Sequence, residues 1–304
     1  MTQIKRIAPD IGCLPVSFVN VYFVGRPGGR WVLLDTGIPG RARQIIAAAD
    51  ARFGGGARPE AIVLTHGHFD HAGNALELAE HWDVPIYAHR PEWPYITGRS
   101  SYPPPDPTIG GAIGFLSRFM PSRPYDLGLR LRELTGRDVP GAPGWEWLPT
   151  PGHSPGHVSL FRQSDRVLLA GDAFATMDME SWFGLATKVQ KLSRAGAPFN
   201  CDWGATMASV RTLSALRPNV LGCGHGVPIS DTEAPARLER FARRFRPPRR
   251  GRYVRQPARV NDDGIVSVPP APFDPVPLAT AASLIAVGVA LGAGYLDFTE
   301  RRRR

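Results

Sequence analysis

Lysine and cysteine are scarce in this 304-residue chain. Only three of its 36 lysine and arginine residues are lysine, a bias that accompanies abundant Ala, Gly and Pro and is typical of GC-rich coding. The three cysteines, Cys13, Cys201 and Cys223, are far apart and form no CxxC pair. Isolated cysteines in an odd number argue against a disulfide framework and favour a reducing compartment.

The N-terminal region also lacks a long apolar run and shows no cleavage pattern. We therefore expect no signal peptide, and we expect the catalytic domain to lie in the cytoplasm.

The excess of positive charge is concentrated in two places. The formal net charge is +9, but ten arginines lie between Arg237 and Arg259 and four more end the chain, so the remainder is nearly balanced. The arginine run is either a solvated helix face or a surface that lies against anionic lipid headgroups. Nucleic-acid binding through this run is a weaker hypothesis, which predicts strongly salt-dependent binding, and we expect no nucleic-acid partner.

Strand-like and helix-like patterns alternate over the first 245 residues. VNVYFV (19–24) and WVLLDTG (31–37) predict a hairpin, and AIVLT (61–65) predicts a buried strand. Hairpins beside strand–helix units indicate a mixed-sheet α/β protein. Helical spacing is found at 41–53, 73–82, 203–216 and 233–245.

Composition changes after the last of these helices. We predict a catalytic domain over 1–245, a Pro- and Arg-rich linker over 246–277, a hydrophobic helix over 278–296 and a basic tail over 297–304.

The hydrophobic segment LATAASLIAVGVALGAGYL (278–296) carries no charge. As a helix it would be roughly 28 Å long, about the thickness of a bilayer core. Two interpretations stay open: a single-span membrane anchor, which we favour because the segment has no polar face, and a buried helix of the domain. Gly288 and Gly292 form a GxxxG pattern, which in a membrane would allow a homodimer.

Residues 97–124 are rich in Pro and Gly, with scattered aromatic residues. A long segment of this kind is usually functional or disordered. We interpret it as an insertion beside the site, part helix and part lid. Three of its aromatic residues and the adjacent Tyr125 either line an apolar substrate pocket or pack over the edge of the fold; the three are Tyr102, Phe115 and Phe119.

THGHFDHAGN (65–74) places three histidines and an aspartate within six positions: His66, His68, Asp70 and His71. They lie where a predicted strand ends and a helix begins, so the first two can converge on one point and the last two on a second point nearby. Imidazole and carboxylate are ligands for zinc and similar transition metals. Four residues supply only part of two coordination shells, so the other ligands must come from elsewhere.

Three later strand ends each carry one ligand-type residue beside glycine. His153 lies in TPGHSPGH, Asp172 in LLAGDAF and His225 in GCGHG. Glycine lets the backbone turn tightly and leaves room for a metal. We expect His157, at the end of the first of these stretches, to make a structural hydrogen bond rather than to take part in catalysis.

The order HxHxDH, His, Asp, His resembles the metallo-β-lactamase superfamily over about residues 10–245. The resemblance implies a four-layer αβ/βα sandwich with the site at one edge of two sheets. It implies two divalent metal ions, Zn²⁺ first and Fe or Mn as alternatives, and a carboxylate, Asp35 in LLDTG, that supports the ligands from behind. The implied ligands are His66, His68 and His153 for the first ion, Asp70, His71 and His225 for the second, and Asp172 as the bridge.

Hydrolysis of a small-molecule substrate is the reaction that the resemblance implies, because paired metal ions activate water and polarise a scissile carbonyl or phosphoryl oxygen. Asp70 would be a ligand and could also transfer a proton. Asp172 stands where common class B β-lactamases have cysteine, which disfavours lactam cleavage. The ligand set is more similar to glyoxalase II and to lactonases, although Ala175 stands where lactonases often carry tyrosine. We expect cleavage of a small ester, thioester or lactone.

A non-hydrolytic protein on the same scaffold is the alternative: a redox, sulfur-handling or metal-binding regulatory member. Two zinc equivalents with turnover would favour the hydrolase, and a single iron without hydrolysis would favour the alternative.

Overall fold

The computed structural model describes residues 4–121 and 124–276. The chain divides into two compact units, Met1–Pro270 and Ala271–Arg304, and all elements named below belong to the first. The predicted hydrophobic helix (278–296) and basic tail (297–304) lie outside the described residues. Within the described ranges, no helix is both long enough and apolar enough to cross a bilayer.

The first half of the chain forms a seven-stranded sheet whose strands lie in chain order. The strands are β1 (Lys5–Ala8), β2 (Ile11–Val16), β3 (Val19–Gly25), β4 (Trp31–Leu34), β5 (Ala61–Val63), β6 (Ile86–Ala88) and β7 (Leu131–Glu133). Pairing is antiparallel from β1 to β4 and parallel from β4 to β7. The antiparallel β3–β4 pair confirms the predicted hairpin.

The second half forms a four-stranded sheet. Its strands are β8 (Trp145–Pro149), β9 (Val158–Arg162), β10 (Val167–Leu169) and β13 (Val220–Gly222), in the order β13–β10–β9–β8, with only β10 and β13 parallel. Two separate two-stranded pairs are β11 (Ala175–Met177) with β12 (Gln190–Ser193), and β14 (Arg259–Asn261) with β15 (Gly264–Ser267).

Eight α-helices are present among the described residues. They are α1 (Ala42–Phe53), α2 (Phe69–Ala72), α3 (Ala75–Trp82), α4 (Trp93–Ile96), α5 (Gly111–Leu116), α6 (Trp182–Thr187), α7 (Trp203–Ala215) and α8 (Ala234–Arg244). The four longest, α1, α3, α7 and α8, are those that the apolar spacing predicted. Helix α7 begins after Asp202, whose side chain accepts a 2.9 Å hydrogen bond from the Ala205 N–H and so caps the free end of the helix.

Side chains of β3 show how the first sheet is covered on both faces. Phe23 packs in one core with Ile45 of α1 and Leu78 of α3. Its neighbours Tyr22 and Val24 pack in a different core, because successive side chains of a strand point to opposite faces of the sheet.

The second core lies between the two sheets, where Val24 of β3 belongs to the same cluster as Trp145 of β8 and Leu160 of β9. A third core covers the outer face of the second sheet, where Leu168 of β10 packs in one cluster with Leu213 of α7. The order helices, sheet, sheet, helices is the αβ/βα sandwich that was expected.

Residues 246–270 were predicted to belong to a linker, but the structure places them in the first compact unit. Tyr253 is buried in the third core and donates a 2.8 Å hydrogen bond to the Pro104 carbonyl. The β14–β15 hairpin follows. The composition predicted a linker because proline and arginine dominate this segment. The burial of its one aromatic side chain, Tyr253, fixes the segment in place.

Candidate metal centre

All seven predicted ligands lie together at one edge of the two sheets. Each is carried by a loop or a short helix that follows a strand: His66, His68, Asp70 and His71 after β5, His153 after β8, Asp172 after β10 and His225 after β13. All except His68 are buried. Their roles as ligands stay predictions, but the structure brings every one of them into contact range.

The first group of three, His66, His68 and His153, directs imidazole nitrogens to one place. The Nδ1 atom of His68 lies 3.0 Å from Nε2 of His153. One nitrogen of each ring lies within 4.8 Å of the other two.

The second group of three is Asp70, His71 and His225. Nε2 of His225 lies 3.4 Å from Oδ2 of Asp70, and Nε2 of His71 lies 4.0 Å from the same oxygen. Asp172 lies between the two groups. Its Oδ2 is 3.5 Å from Nε2 of His153 and 3.2 Å from Nε2 of His225, and its Oδ1 is 3.5 Å from Nε2 of His71.

These spacings fit divalent metal ions. Ligand atoms around a tetrahedral zinc ion lie about 3.3 Å from one another, which is close to the 3.0–3.5 Å separations found here. Among the described residues, buried polar atoms without a hydrogen-bond partner include Nε2 of His66, Nε2 of His71 and Oδ1 of Asp172. An unsatisfied buried atom costs roughly 1–3 kcal/mol, and bound cations would satisfy all three.

Asp35 orients two of the imidazoles from behind. It follows β4 with a left-handed φ of 60°, and its carboxylate accepts hydrogen bonds from Nδ1 of His71 (2.8 Å) and from the hydroxyl of Thr65 (2.9 Å). The Thr65 hydroxyl lies 3.0 Å from Nδ1 of His66. With a proton on each Nδ1, both rings present the Nε2 lone pair to the site, which is the form that a metal binds.

Two further partners fix two of the three remaining rings and were not predicted from the sequence. Nδ1 of His153 lies 2.9 Å from Oδ1 of Asn200, and Nδ1 of His225 lies 2.9 Å from the carbonyl oxygen of Phe18. The second pair is separated by 207 positions in the chain, so only the tertiary structure reveals it.

Glu92 was also missed, and it connects two of the ligand-bearing loops. Its side chain is fully buried. Oε2 accepts hydrogen bonds from the Gly67 N–H (3.0 Å) and from the Tyr102 hydroxyl, and Oε1 accepts from the Ser154 hydroxyl (2.6 Å) and the Gly156 N–H (2.7 Å). Loop 66–68 and loop 153–156 are therefore held by the same carboxylate.

The loop that carries His225 is held by β3 of the opposite sheet. The Cys223 carbonyl accepts hydrogen bonds from the Tyr22 hydroxyl (2.7 Å) and from Nδ2 of Asn20 (2.9 Å). A side chain at Gly224 would collide with Oδ1 of Asp172. Glycine is thus required there because the backbone passes directly over the Asp172 carboxylate.

Burial and charge divide the histidines into two protonation classes. Burial, together with the neighbouring imidazoles, holds the pKa of His66 and His68 well below its usual range. Burial also acts to lower the pKa of His71 and His225, but the surrounding carboxylates, above all Asp172, outweigh it and raise the pKa of both. Without metal, the first group is neutral and the second carries protons that an incoming cation must displace.

His157 and the cysteines lie beside the site. Nε2 of His157 accepts a 2.8 Å hydrogen bond from the Asp172 N–H, and its Nδ1 lies 2.9 Å from the Thr150 hydroxyl, which is the structural role that was expected. All three cysteines are buried. Burial raises the pKa of Cys13 to about 12 and that of Cys223 well above its usual value, so thiolate chemistry is disfavoured at neutral pH.

An apolar cleft opens onto the site. Five of the predicted ligands line it together with Gly196: His68, Asp70, His153, Asp172 and His225. The apolar part of its wall is formed by Phe18, Phe69, Ile113, Met120, Met179 and Phe199. Residues 97–124 contribute Ile113 and Met120 to this lining, whereas the aromatic residues proposed for it lie elsewhere. Tyr102 turns inward to Glu92, and Phe115 and Phe119 are exposed.

Comparison with known families agrees with this geometry. The sequence model of the metallo-beta-lactamase superfamily matches residues 14–225, a range that contains all seven predicted ligands. The chain belongs to the metallo-β-lactamase superfamily. Membership confirms the resemblance that HxHxDH and the three later ligands indicated, and it makes the chain one of a superfamily of metallo-hydrolases.

The relatives match different shares of the chain. The probable metallo-hydrolase YflN of Bacillus subtilis (strain 168) is 40% identical over 242 residues, covering 78% of this chain and 92% of that protein. The hydroxyacylglutathione hydrolase GloC of Haemophilus influenzae is 29% identical over 111 residues, covering 36% of this chain and 48% of that protein.

Among solved structures, BJP-1, a subclass B3 metallo-beta-lactamase of Bradyrhizobium japonicum, is similar in fold. It has a TM-score of 0.52 and 18% sequence identity, and the match covers 80% of this chain and 92% of that one.

Proposed function

We propose that this protein is a dinuclear zinc hydrolase that cleaves a small ester, thioester or lactone whose groups near the scissile bond are apolar. The observation that carries the proposal is the position of Asp172, with Oδ2 3.5 Å from His153 and 3.2 Å from His225. One carboxylate between two groups of three ligands is the arrangement that two neighbouring cations require.

The ligand atoms have distinct tasks in this proposal. His66, His68 and His153 would hold one ion, Asp70, His71 and His225 the second, and Asp172 both. Two such ions, when bound, supply activated water at neutral pH and polarise a carbonyl oxygen.

Asp70 is the residue that we propose for proton transfer. It lines the cleft, and its Oδ2 is 3.4 Å from Nε2 of His225. A carboxylate oxygen at this position can accept a proton from the attacking water and return it to the leaving group, because both must lie in the cleft.

The side chains that line the cleft favour a substrate that is uncharged beside the scissile bond. None of the described residues that line it is lysine or arginine, so a substrate carboxylate would find no cationic side chain there, only the proposed metal ions. Six apolar side chains line it instead, which favours substrates that place hydrocarbon next to the carbonyl.

A panel assay on the purified full-length chain tests the proposal. The zinc-loaded protein is offered an aryl ester, a thioester, a γ-lactone and a β-lactam, and metal content is measured on the same sample. His68→Ala should lower kcat/KM for the preferred substrate by at least about 100-fold, because even the loss of a group that only positions a metal ligand lowers metal affinity or activity 10–100-fold.

The matched control is His81→Ala, which removes an exposed histidine of α3 and should leave both zinc content and kcat/KM unchanged. A protein that binds two zinc ions and turns over none of the four substrates would contradict the hydrolase. A single bound iron with reversible redox chemistry would favour the non-hydrolytic alternative.

A further inference from the structure

Large apolar side chains are exposed on the segments that border the cleft. Phe115 is 42% exposed, Phe119 is 75% exposed and Trp182 is 58% exposed. The ring of Phe115 lies 6.0 Å from the ring of Phe119 and 6.0 Å from that of Trp182. We call these three side chains the aromatic surface. A contiguous exposed apolar surface on a folded protein commonly marks a binding site.

The aromatic surface and part of the cleft wall are carried by the same two segments of the chain. Helix α5 carries Phe115 outward and Ile113 into the cleft, and Met120, which follows Phe119, also lines the cleft. The Ile113 N–H donates a 3.2 Å hydrogen bond to the carbonyl of Met179, another lining residue. An apolar group that leaves the cleft beside Ile113 is therefore close to Phe115, whose ring also has the Arg118 guanidinium 5.6 Å from its centre.

We propose that the aromatic surface binds a long apolar chain attached to the scissile ester or thioester, so that the preferred substrates are medium- to long-chain acyl or alkyl compounds. This inference rests on the hydrolase function proposed above. The occupant follows from this arrangement: the walls near the ligands are apolar, the surface outside them is apolar, and a hydrocarbon chain is the ligand whose burial stabilises both.

Chain-length dependence measures this binding. Full burial of one methylene group corresponds to about a fourfold gain in affinity, and an open surface should give about half of that free energy, or about twofold per methylene. Two substrate series show whether the bound chain belongs to the acyl group or to the leaving group. The first varies the acyl chain from two to twelve carbons on a constant thiol, and the second places a constant acetyl group on alkyl alcohols of increasing length. A rise of kcat/KM in either series supports the proposal, and no rise in both overturns it.

Trp182→Ser and Phe119→Ser are the informative variants. Each should lower kcat/KM for the twelve-carbon substrate by about tenfold, as removal of several buried methylene equivalents predicts, and change it less than about twofold for the two-carbon substrate. Leu129→Ser, which removes another exposed apolar side chain outside the cleft lining, is the control and should change neither. Equal losses for short and long chains would contradict the proposal.

Binding of dodecanoate, followed by displacement of a fluorescent fatty acid, separates this inference from the hydrolase itself. If no substrate is hydrolysed but dodecanoate binds to the wild type and not to Trp182→Ser, the hydrolase fails and the aromatic surface stands. If vesicles of neutral phospholipid bind in place of dodecanoate, and the two variants abolish only that binding, the surface is a membrane contact and the proposal is wrong.

Discussion

The hydroxyl of Tyr102 donates a hydrogen bond to the buried carboxylate of Glu92. The same carboxylate accepts from the Gly67 N–H at 3.0 Å and the Gly156 N–H at 2.7 Å. Gly67 lies between two histidines of the first group, and Gly156 lies on the loop of the third. The relative position of these imidazoles therefore depends on a residue that is not itself a ligand.

Replacing Glu92 should weaken both the fold and the metal site. In Glu92→Gln an amide N–H₂ group replaces one carboxylate oxygen, so the hydrogen-bond donors on that side lose their acceptor. We therefore expect a loss of about 2–3 kcal/mol in the free energy of unfolding. Zinc affinity should fall about tenfold or more, as for other groups that position metal ligands. Urea unfolding of the metal-free protein and competition with a chromophoric chelator measure the two effects.

Two neighbouring tyrosines provide a matched pair for this network. Tyr102→Phe should cost about 1–2 kcal/mol, because a hydrogen bond to a charged group is lost. The Tyr95 ring stacks on Tyr102 at 4.2 Å, but its buried hydroxyl has no hydrogen-bond partner in the part of the chain described here, so Tyr95→Phe should cost nothing or stabilise. Equal losses in the two variants would show that ring packing, and not the Glu92 hydrogen bond, matters.

Asp35→Asn should lower metal affinity without unfolding the protein. Oδ2 of Asp35 accepts from Nδ1 of His71 and from the Thr65 hydroxyl, and Oδ1 accepts from the Thr65 N–H at 2.8 Å. An asparagine amide presents N–H₂ in place of one of these oxygens, so one set of donors loses its acceptor and the support of the two rings is weakened. We expect a 10- to 100-fold loss of zinc affinity, measured by chelator competition. The control is Asp50→Asn near the end of α1, where the partner is the Gly56 N–H. An unchanged zinc affinity in Asp35→Asn would contradict the supporting role.

The metal-free protein should be most stable near pH 6.5 and lose stability on both sides. His71 and His225 have a raised pKa in the fold, so their stabilising contribution is complete below the unfolded pKa and is lost as pH rises through the folded pKa. His66 and His68 have a lowered pKa, so the unfolded chain binds more protons as pH falls below about 6.5, which destabilises the fold.

Zinc should remove the alkaline limb of this profile, since the deprotonated His71 and His225 then have a cation as partner. Thermal unfolding from pH 5 to pH 9, with and without zinc, tests this. Parallel profiles for the two forms would contradict the assignment of these two histidines as ligands.

Arg162 should contribute to stability far from the site. It donates hydrogen bonds to both oxygens of Asp10 (2.5 and 2.9 Å) and lies over the Trp145 ring at 4.7 Å, which joins the two sheets. Arg162→Ala should cost about 2–3 kcal/mol, because a largely buried carboxylate loses its partner. The hydrogen bond to Arg162 lowers the pKa of Asp10, so this contribution is present above the usual aspartate pKa and is lost as pH falls.

The comparison variant is Arg30→Ala, which breaks the exposed 3.1 Å pair with Glu60 and should cost less than about 1 kcal/mol. Urea unfolding at pH 7 and pH 4 measures both. Equal costs in the two variants would contradict a special role for Arg162.

The sequence singled out seven candidate ligands that the structure brings together, because each lies in a short, polar, glycine-flanked stretch that follows an apolar strand. His66 and His225, far apart in the chain, could be grouped only through the superfamily resemblance, since local patterns carry no information about which strand ends meet. Strands β7 (LRE) and β12 (QKLS) were missed because charged and polar residues interrupt the apolar run that marked the equally short β5 (AIV).

Residues behind the ligands escaped prediction for a different reason. Glu92 lies in HRPEWPYI, where a charged residue beside prolines predicts an exposed loop, yet four converging donors make its burial favourable. The burial of Tyr253 was not predicted for the same reason, because the surrounding arginines indicate an exposed segment. In both cases the decisive partner is distant in sequence, so composition alone gives the wrong environment.

Metal stoichiometry tests the central claim most directly. We expect two zinc ions per chain in the wild type after saturation and dialysis, measured by plasma mass spectrometry, and about one in both His153→Ala and His225→Ala. A wild type that retains one ion or none, or a His225→Ala variant that still retains two, would contradict a dinuclear centre bridged by Asp172.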